Sequence, residues 1–238
     1  MLKAPNFELK NMSTISTENY LKKIFNHNKV FGEKINAVKL AQELSVSNAA
    51  ISDMAKKLSK HGLISYEKYK GIELTDKGEQ MALNVIRRHR LWELFLIKVL
   101  NMPWSEVHEQ AEVLEHHTSE KLIDRIDEFL GYPDFDPHGH PIPRKNGSLP
   151  DAQYYISLAE AVEGSSYELM QVDDHEKKLI SYLTKVGFVL NTRFVVIDKL
   201  DFDKSYTIKF NDTVLSVSQK ISESLYLKEI IEAGEKNG

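Results

Sequence analysis

The sequence predicts a mainly α chain with a C-terminal β part, in three successive domains: a winged helix-turn-helix over residues 1–75, a helical domain over 76–150 and a small β-barrel over 151–238. Three observations carry this reading. Two short apolar-striped segments flank a tight break and run into an alternating stretch. A long periodic run rich in Leu, Ile, Val and Phe follows from Asp76. Beyond residue 165 the apolar period shortens to two, in short, closely spaced runs.

The elements follow in order. In "TENYLKKIFN" (17–26), Thr17 is suited to cap a helix whose apolar stripe is Tyr20, Leu21, Ile24 and Phe25. Val38, Leu40, Ala41 and Leu44 mark a short second helix. After "SVS", a third begins near Ser47 with Ala50, Ile51, Met54, Ala55 and Leu58 on its apolar side. Gly62 suits a left-handed cap there, with Lys60 and His61 at the negative helix end. Two short helices joined this way form a helix-turn-helix. "LISYEKYKGIELT" (63–75) reads as a hairpin turning at Gly71, which adds the wing.

From Asp76 to Leu100 a single long helix is expected, interrupted by Pro103 and followed by helices over 104–117 and 119–130. Residues 131–150, "GYPDFDPHGHPIPRKNGSLP", hold five of the seven prolines and read as an ordered loop leading into a linker. "SYELMQV", "TRFVVIDKL", "SYTIKF" and "TVLSVS" read as strands, with a helix in "EKKLISYLTKVG"; such spacing suggests a small barrel.

Composition narrows the function. No run approaches the ~20 apolar residues of a membrane span, and "MLKAPNFELKNMSTIS" lacks the pattern of a signal peptide, so a cytoplasmic protein is expected. The absence of cysteine excludes disulfides, zinc ribbons and thiolate chemistry. Residues 1–90 hold 16 Lys+Arg against 9 Asp+Glu, whereas the remainder holds 15 against 26. A basic module for a polyanion joined to an acidic module fits this asymmetry.

The helix-turn-helix supplies the polyanion reader. A recognition helix offers its first turns to base edges while flanking cations hold phosphates. Here those positions are Ser47, Asn48, Ala49, Ser52 and Asp53, with Lys56 and Lys57 further along and Lys68 and Lys70 on the wing. The acidic half supplies a cation binder. "EVHEQAEVLEHH" (106–117) packs three histidines and four glutamates into one segment. At about 100° per residue, Glu112, Glu115 and His116 fall within an arc of about 100° that includes His108. Val107, Ala111, Leu114 and Thr118 take the neighbouring face. His89 and Glu93, one turn apart, pair likewise on the preceding helix, and six of the nine histidines lie between 89 and 140.

These pieces resemble the diphtheria toxin repressor family of metal-dependent transcriptional regulators, closer to its manganese-responsive branch. The resemblance covers almost the whole chain through "TENYLKKIF", the winged helix, "RRHRLWELFL", "EVHEQAEVLEHHTSEKLIDRID" and "DPHGHPIP". It implies that the C-terminal barrel is SH3-like and that the chain is a homodimer binding double-stranded DNA at a palindromic operator. It further implies a primary metal site of Glu112, Glu115 and His116 with Asn19 from the first helix, where relatives place Met or Asp and where Glu18 is the alternative donor. A second, ancillary site would use His89, Glu93 and His108, joined by Asp136, His138 and Asp173 or Asp174. His117, His140 and His175 are bystanders in that scheme.

An all-oxygen-and-imidazole donor set suits Mn2+ or Fe2+, with Co2+, Ni2+ or Zn2+ able to substitute in vitro. The function expected is therefore a metal-activated repressor of metal-ion uptake genes, not an enzyme. Its rivals are a winged-helix regulator of an organic effector and a metal-dependent hydrolase. The sequence contains no HExxH, nucleophile elbow or Gly-rich phosphate loop.

Overall fold

The structure is a computed structural model describing residues 14–67, 71–151, 153–174 and 176–231. Helix α1 spans Ile15–Phe31 and is longer than the sequence suggests. Its N-cap is Thr14, whose Oγ1 accepts from the N–H of Thr17, so the position expected to cap lies inside the first turn. Helix α2 (Ala37–Glu43) is capped by Asn36, and α3 (Asn48–Lys60) by Ser47, whose Oγ accepts from the N–H of Ala50. Gly62, at φ +67°, reverses the chain after α3. Strands β1 (Ile64–Glu67) and β2 (Gly71–Leu74) then pair antiparallel. The wing positions Lys68 and Lys70 lie outside the described residues.

Tyr20, Leu21 and Ile24 of α1, Leu40 of α2, and Ile51, Ala55 and Leu58 of α3 share one core with Leu63, Ile64 and Ile72 of the wing. Helix α4 (Asp76–Leu100) enters this core through Ala82. Its first turn approaches the wing so closely that a Cβ on Gly78 would lie 1.9 Å from the carbonyl oxygen of Leu63. Only glycine permits that contact.

Helices α5 (Val107–His117) and α6 (Glu120–Phe129) follow. Strands β3 (Ile156–Ser157), β4 (Ser166–Val172), β5 (Arg193–Lys199), β6 (Tyr206–Phe210), β7 (Thr213–Val217) and β8 (Leu225–Glu229) form one antiparallel sheet in the order β3-β8-β4-β5-β6-β7. Helix α7 (Lys177–Val186) and the short α8 (Gln219–Ser222) complete it. Alternate residues of β4, Tyr167 and Leu169, and of β6, Tyr206, Ile208 and Phe210, point into a core closed by Leu183 and Phe188. The sequence reading omits β8, which pairs with both β3 and β4.

The chain divides into two compact units. The first comprises residues 1–89, 112–123 and 143–148; the second comprises 90–111, 124–142 and 149–238. The three middle helices therefore each give one end to each unit.

Candidate metal centres and nucleic-acid interface

In the first unit, α1, α4 and α5 bring a chain of charges together. Glu115 is fully buried, and its Oε2 lies 2.5 Å from Nδ1 of His89. Into the same cluster α1 inserts Lys22, a residue the sequence reading did not select. Its Nζ donates to Oε1 of Glu112 at 2.6 Å and to both oxygens of Glu115 at 2.8 and 3.1 Å. It also lies 3.3 Å from Nδ1 of His89. Burial works against the charge on Lys22, but Glu115 and Glu112 outweigh it and raise the ammonium pKa above its ordinary value.

The other residues expected at the primary site take different partners. Nδ1 of His116 lies 2.5 Å from Oε2 of Glu18, and its Nε2 lies 3.3 Å from Oε1 of Glu115. Arg88 bridges Glu18 at 3.0 Å and Glu120 at 2.9 Å. Oδ1 of Asn19 is buried and, among the described residues, accepts no hydrogen bond. His89, which the resemblance assigns to the ancillary set, also lies against Glu115 through Nδ1. The ammonium of Lys22 is what joins α1 to Glu112 and Glu115, because Asn19 and Lys22 lie almost one turn apart and the longer side chain reaches the carboxylates. A divalent ion does not fit this cluster while that ammonium stands among its donor atoms.

The second unit holds a cluster of another character. Glu93 on α4 is fully buried and faces His108 of α5, with Oε1 3.2 Å from Nδ1. The Pro-rich loop adds Asp136 and His138, and the turn after β4 adds Asp174, 3.5 Å from His108 and 3.8 Å from His138. Asp174 is a carboxylate delivered to the imidazoles, and the backbone N–H of its neighbour Asp173 donates to the carbonyl of Ser224. His140, read as a bystander, lies 3.3 Å from Oδ2 of Asp136 and 3.8 Å from Asp174. His117 is exposed, and His175 lies outside the described residues.

Local structure explains this loop. Oδ1 of Asp136 accepts from the N–H groups of His138 and His140, folding the segment around one carboxylate oxygen and leaving Oδ2 toward the cluster. Gly139 lets the loop touch β4: a Cβ there would lie 2.1 Å from the carbonyl oxygen of Met170, and the N–H of Val172 donates to the carbonyl of His138 at 2.9 Å. Trp104 stacks on His138 with ring centroids 5.4 Å apart and an angle of 18°. Nε of Arg90 lies 3.5 Å from Oδ2 of Asp136, and its guanidinium also donates to the carbonyl of Pro141.

Both ring nitrogens of His138 and Oδ2 of Asp136 are buried and, among the described residues, have no hydrogen-bond partner. Buried polar atoms are seldom left in that state. Burial opposes the charge on His108, yet hydrogen bonds to Asp174 and Glu93 overcome it and bring its pKa to about 10. The pKa of His138 is raised as well: burial opposes its charge, but the nearby carboxylates of Glu93, Asp136 and Asp174 outweigh it. Glu93 and Asp174 thus both favour the charged form of His108. One ligand atom each from Glu93, Asp136 and His138 lies within 4.8 Å of the others, and a cavity of about 130 Å³ opens beside Trp104, His108, His138 and Asp174. This donor set fits a divalent first-row ion.

On α3, Ser47, Asn48, Ala49, Asp53, Lys56 and Lys57 are exposed and Ser52 is half-buried. Two of the polar groups have local roles. Ser47 caps the helix, and the hydroxyl of Ser52 donates to the carbonyl of Asn48 at 3.0 Å. Asn48 and the lysines are the side chains with donors directed outward, although Lys56 lies 3.4 Å from Asp53.

Comparison with known proteins places these features in context. Residues 12–72 match the family model of the iron-dependent repressor N-terminal DNA-binding domain. Residues 75–144 match the iron-dependent repressor metal-binding and dimerisation domain, and 156–229 match the FeoA domain. The iron-dependent repressor IdeR of Mycobacterium leprae is 32% identical over 192 residues, 76% of this chain and 83% of that protein. The HTH-type transcriptional regulator MntR of Listeria welshimeri is 37% identical over 115 residues, 48% of this chain and 80% of that one. Among solved structures, a manganese-dependent transcriptional repressor in complex with manganese superposes with TM-score 0.83 at 30% identity, over 90% of this chain and all of that one. ScaR with bound Zn2+ gives 0.77 at 33% identity, over 90% and 99%.

Proposed function

The chain belongs to the diphtheria toxin repressor family of metal-dependent transcriptional regulators, and we propose that it represses metal-ion uptake genes in the cytoplasm as a homodimer on a palindromic operator, in response to Mn2+ or Fe2+. The regulatory ion is held by Glu93, His108, Asp136, His138 and Asp174. The observation that carries this reading is the buried pair of ring nitrogens on His138, without a hydrogen-bond partner among the described residues and with Glu93 and Asp174 within 4 Å of Nδ1. When bound, a divalent ion supplies the positive charge that protons otherwise bring to this cluster. Glu93 and His108 come from helices, Asp136 and His138 from the loop, and Asp174 from the C-terminal domain. A shared ligand set therefore couples three parts of the chain. Cysteine is absent, so selection rests on oxygen and imidazole donors, and the manganese- and iron-dependent names of the relatives agree with that chemistry.

DNA enters through α3, with Asn48 at base edges and Lys56 and Lys57 at phosphates. In a dimer the two copies of α3 must match half-sites one helical turn, or a multiple of it, apart. By linkage, metal raises DNA affinity by the same factor as DNA raises metal affinity. Moving such a switch from 1:99 to 99:1 takes about 5.5 kcal/mol of differential binding.

The test is a mobility-shift titration of metal-stripped protein on a duplex selected from a random pool by the manganese-loaded protein. Ionic strength is held constant, because salt alone changes affinity. Binding is expected to rise steeply with Mn2+ or Fe2+ and to vanish on chelation. Metal-indifferent binding, or failure to select any duplex, refutes the proposal.

A further inference from the structure

We propose that Lys22 is the resident cation of the first cluster: its ammonium holds the place among Glu112, Glu115 and His89 that a metal ion would need, so α1 is tied to α5 without metal and the regulatory ion binds at the second cluster alone. The inference rests on the metal site assigned above in its second half only; the role of Lys22 stands on its own geometry.

The cluster has the composition of a metal site. One ligand atom each from His89, Glu112 and Glu115 lies within 4.8 Å of the others. Yet the point on which those atoms converge is already taken. Nζ of Lys22 lies 2.6 Å from Glu112, 2.8 and 3.1 Å from the two oxygens of Glu115, and 3.3 Å from His89. An ammonium has three N–H donors, and this one is surrounded by acceptors. Metal–oxygen bonds of roughly 2.0–2.6 Å would require the same oxygens to close on a second cation within contact of the first.

The lysine has little freedom to leave. Its side chain is 13% exposed and Glu115 is 0% exposed, so the pair is screened weakly by solvent. Withdrawing the ammonium would leave the buried carboxylate of Glu115 without its cation and facing the partly exposed Glu112. The surrounding charges repeat the pattern with a second internal cation. Glu18, next to His116, is held by Arg88, which also takes Glu120. Four helices are thereby joined by side chains alone, through Lys22 and Arg88. A helix-borne lysine placed among ligand-type residues converts a conditional tie into a permanent one.

The experiment counts ions on the full chain. Metal-stripped wild type is equilibrated with excess Mn2+ in dialysis, and bound manganese is measured per chain. One ion per chain is expected. Glu112→Gln leaves the count at one, and Lys22→Met raises it to two. Mn2+ is further expected to raise the melting temperature of Lys22→Met more than that of wild type, because the ion then replaces the missing cation. Two ions per chain in wild type, falling to one in Glu112→Gln, overturns the proposal; so does a folded Lys22→Met that still binds one. If Lys22→Met does not fold, the comparison of wild type with Glu112→Gln decides alone. Wild type with no ion, together with Lys22→Met binding one, upholds Lys22 as the internal cation and refutes the second cluster as the metal site.

Discussion

Competition between protons and metal at the second cluster is the prediction most open to measurement. In the metal-free protein His108 holds its proton up to a pKa of about 10, since Asp174 and Glu93 outweigh the cost of burial. An ordinary histidine is neutral above about pH 6.5. A ligand imidazole must be deprotonated, so metal binding displaces that proton. Below pH 10, each unit fall in pH then costs His108 a factor of about ten in apparent metal affinity, or about 1.4 kcal/mol. At pH 7 the penalty is about three decades, roughly 4 kcal/mol, relative to the deprotonated site.

The sign for stability is the reverse. A raised histidine pKa stabilises the metal-free fold most fully below the unfolded value near 6.5, and that contribution fades as pH rises toward 10. Two assays follow. Mn2+ titrations between pH 6.5 and 8.5 should show affinity rising about tenfold per unit or more steeply, because the pKa of His138 is raised too. Calorimetry in buffers of different ionisation enthalpy should register at least about one proton released per ion at pH 7.5. Affinity that levels off above pH 7, with no protons released, refutes the assignment of His108 as a charged group replaced by metal.

Three further outcomes are expected. Glu93→Gln should weaken Mn2+ binding by about 100-fold or more in equilibrium dialysis, because it removes a buried ligand charge beside two imidazoles; a change under threefold counts against the site. Lys56→Ala and Lys57→Ala should each weaken binding to the selected duplex across sequences and reduce the slope of log affinity against log salt by about 0.9, whereas Asn48→Ala should alter base preference. Gly139→Ala should destabilise the fold by about 2 kcal/mol or more in urea titration, since its φ is +88° and the added Cβ meets the carbonyl of Met170. It should also lower metal affinity by displacing His138.

What sequence determined here was whatever depends on local periodicity. Glu112, Glu115 and His116 share a face because α-helical geometry places positions three and four apart together. Asn48, Lys56 and Lys57 are exposed because Ile51, Ala55 and Leu58 claim the other side of α3. The strand of Ser166–Val172 was legible from its alternation. By contrast, β8 went unread: in "SLYLKE" only two inward residues, Leu225 and Leu227, mark it, too few to establish a period of two.

Tertiary structure alone decided which charges meet. Lys22 carries no local mark that separates it from Lys23 beside it; packing of α1 against α5 buries the first and leaves the second 27% exposed. Asp173 and Asp174 are equivalent as composition, and only the turn after β4 sends the second to His108 and His138. The reason is physical: spacing along a helix fixes neighbours within one turn, whereas desolvation and charge pairing depend on atoms brought from distant parts of the chain. Clusters of potential ligands were therefore readable from the chain, but that an ammonium stands among Glu112, Glu115 and His89 depended on the fold.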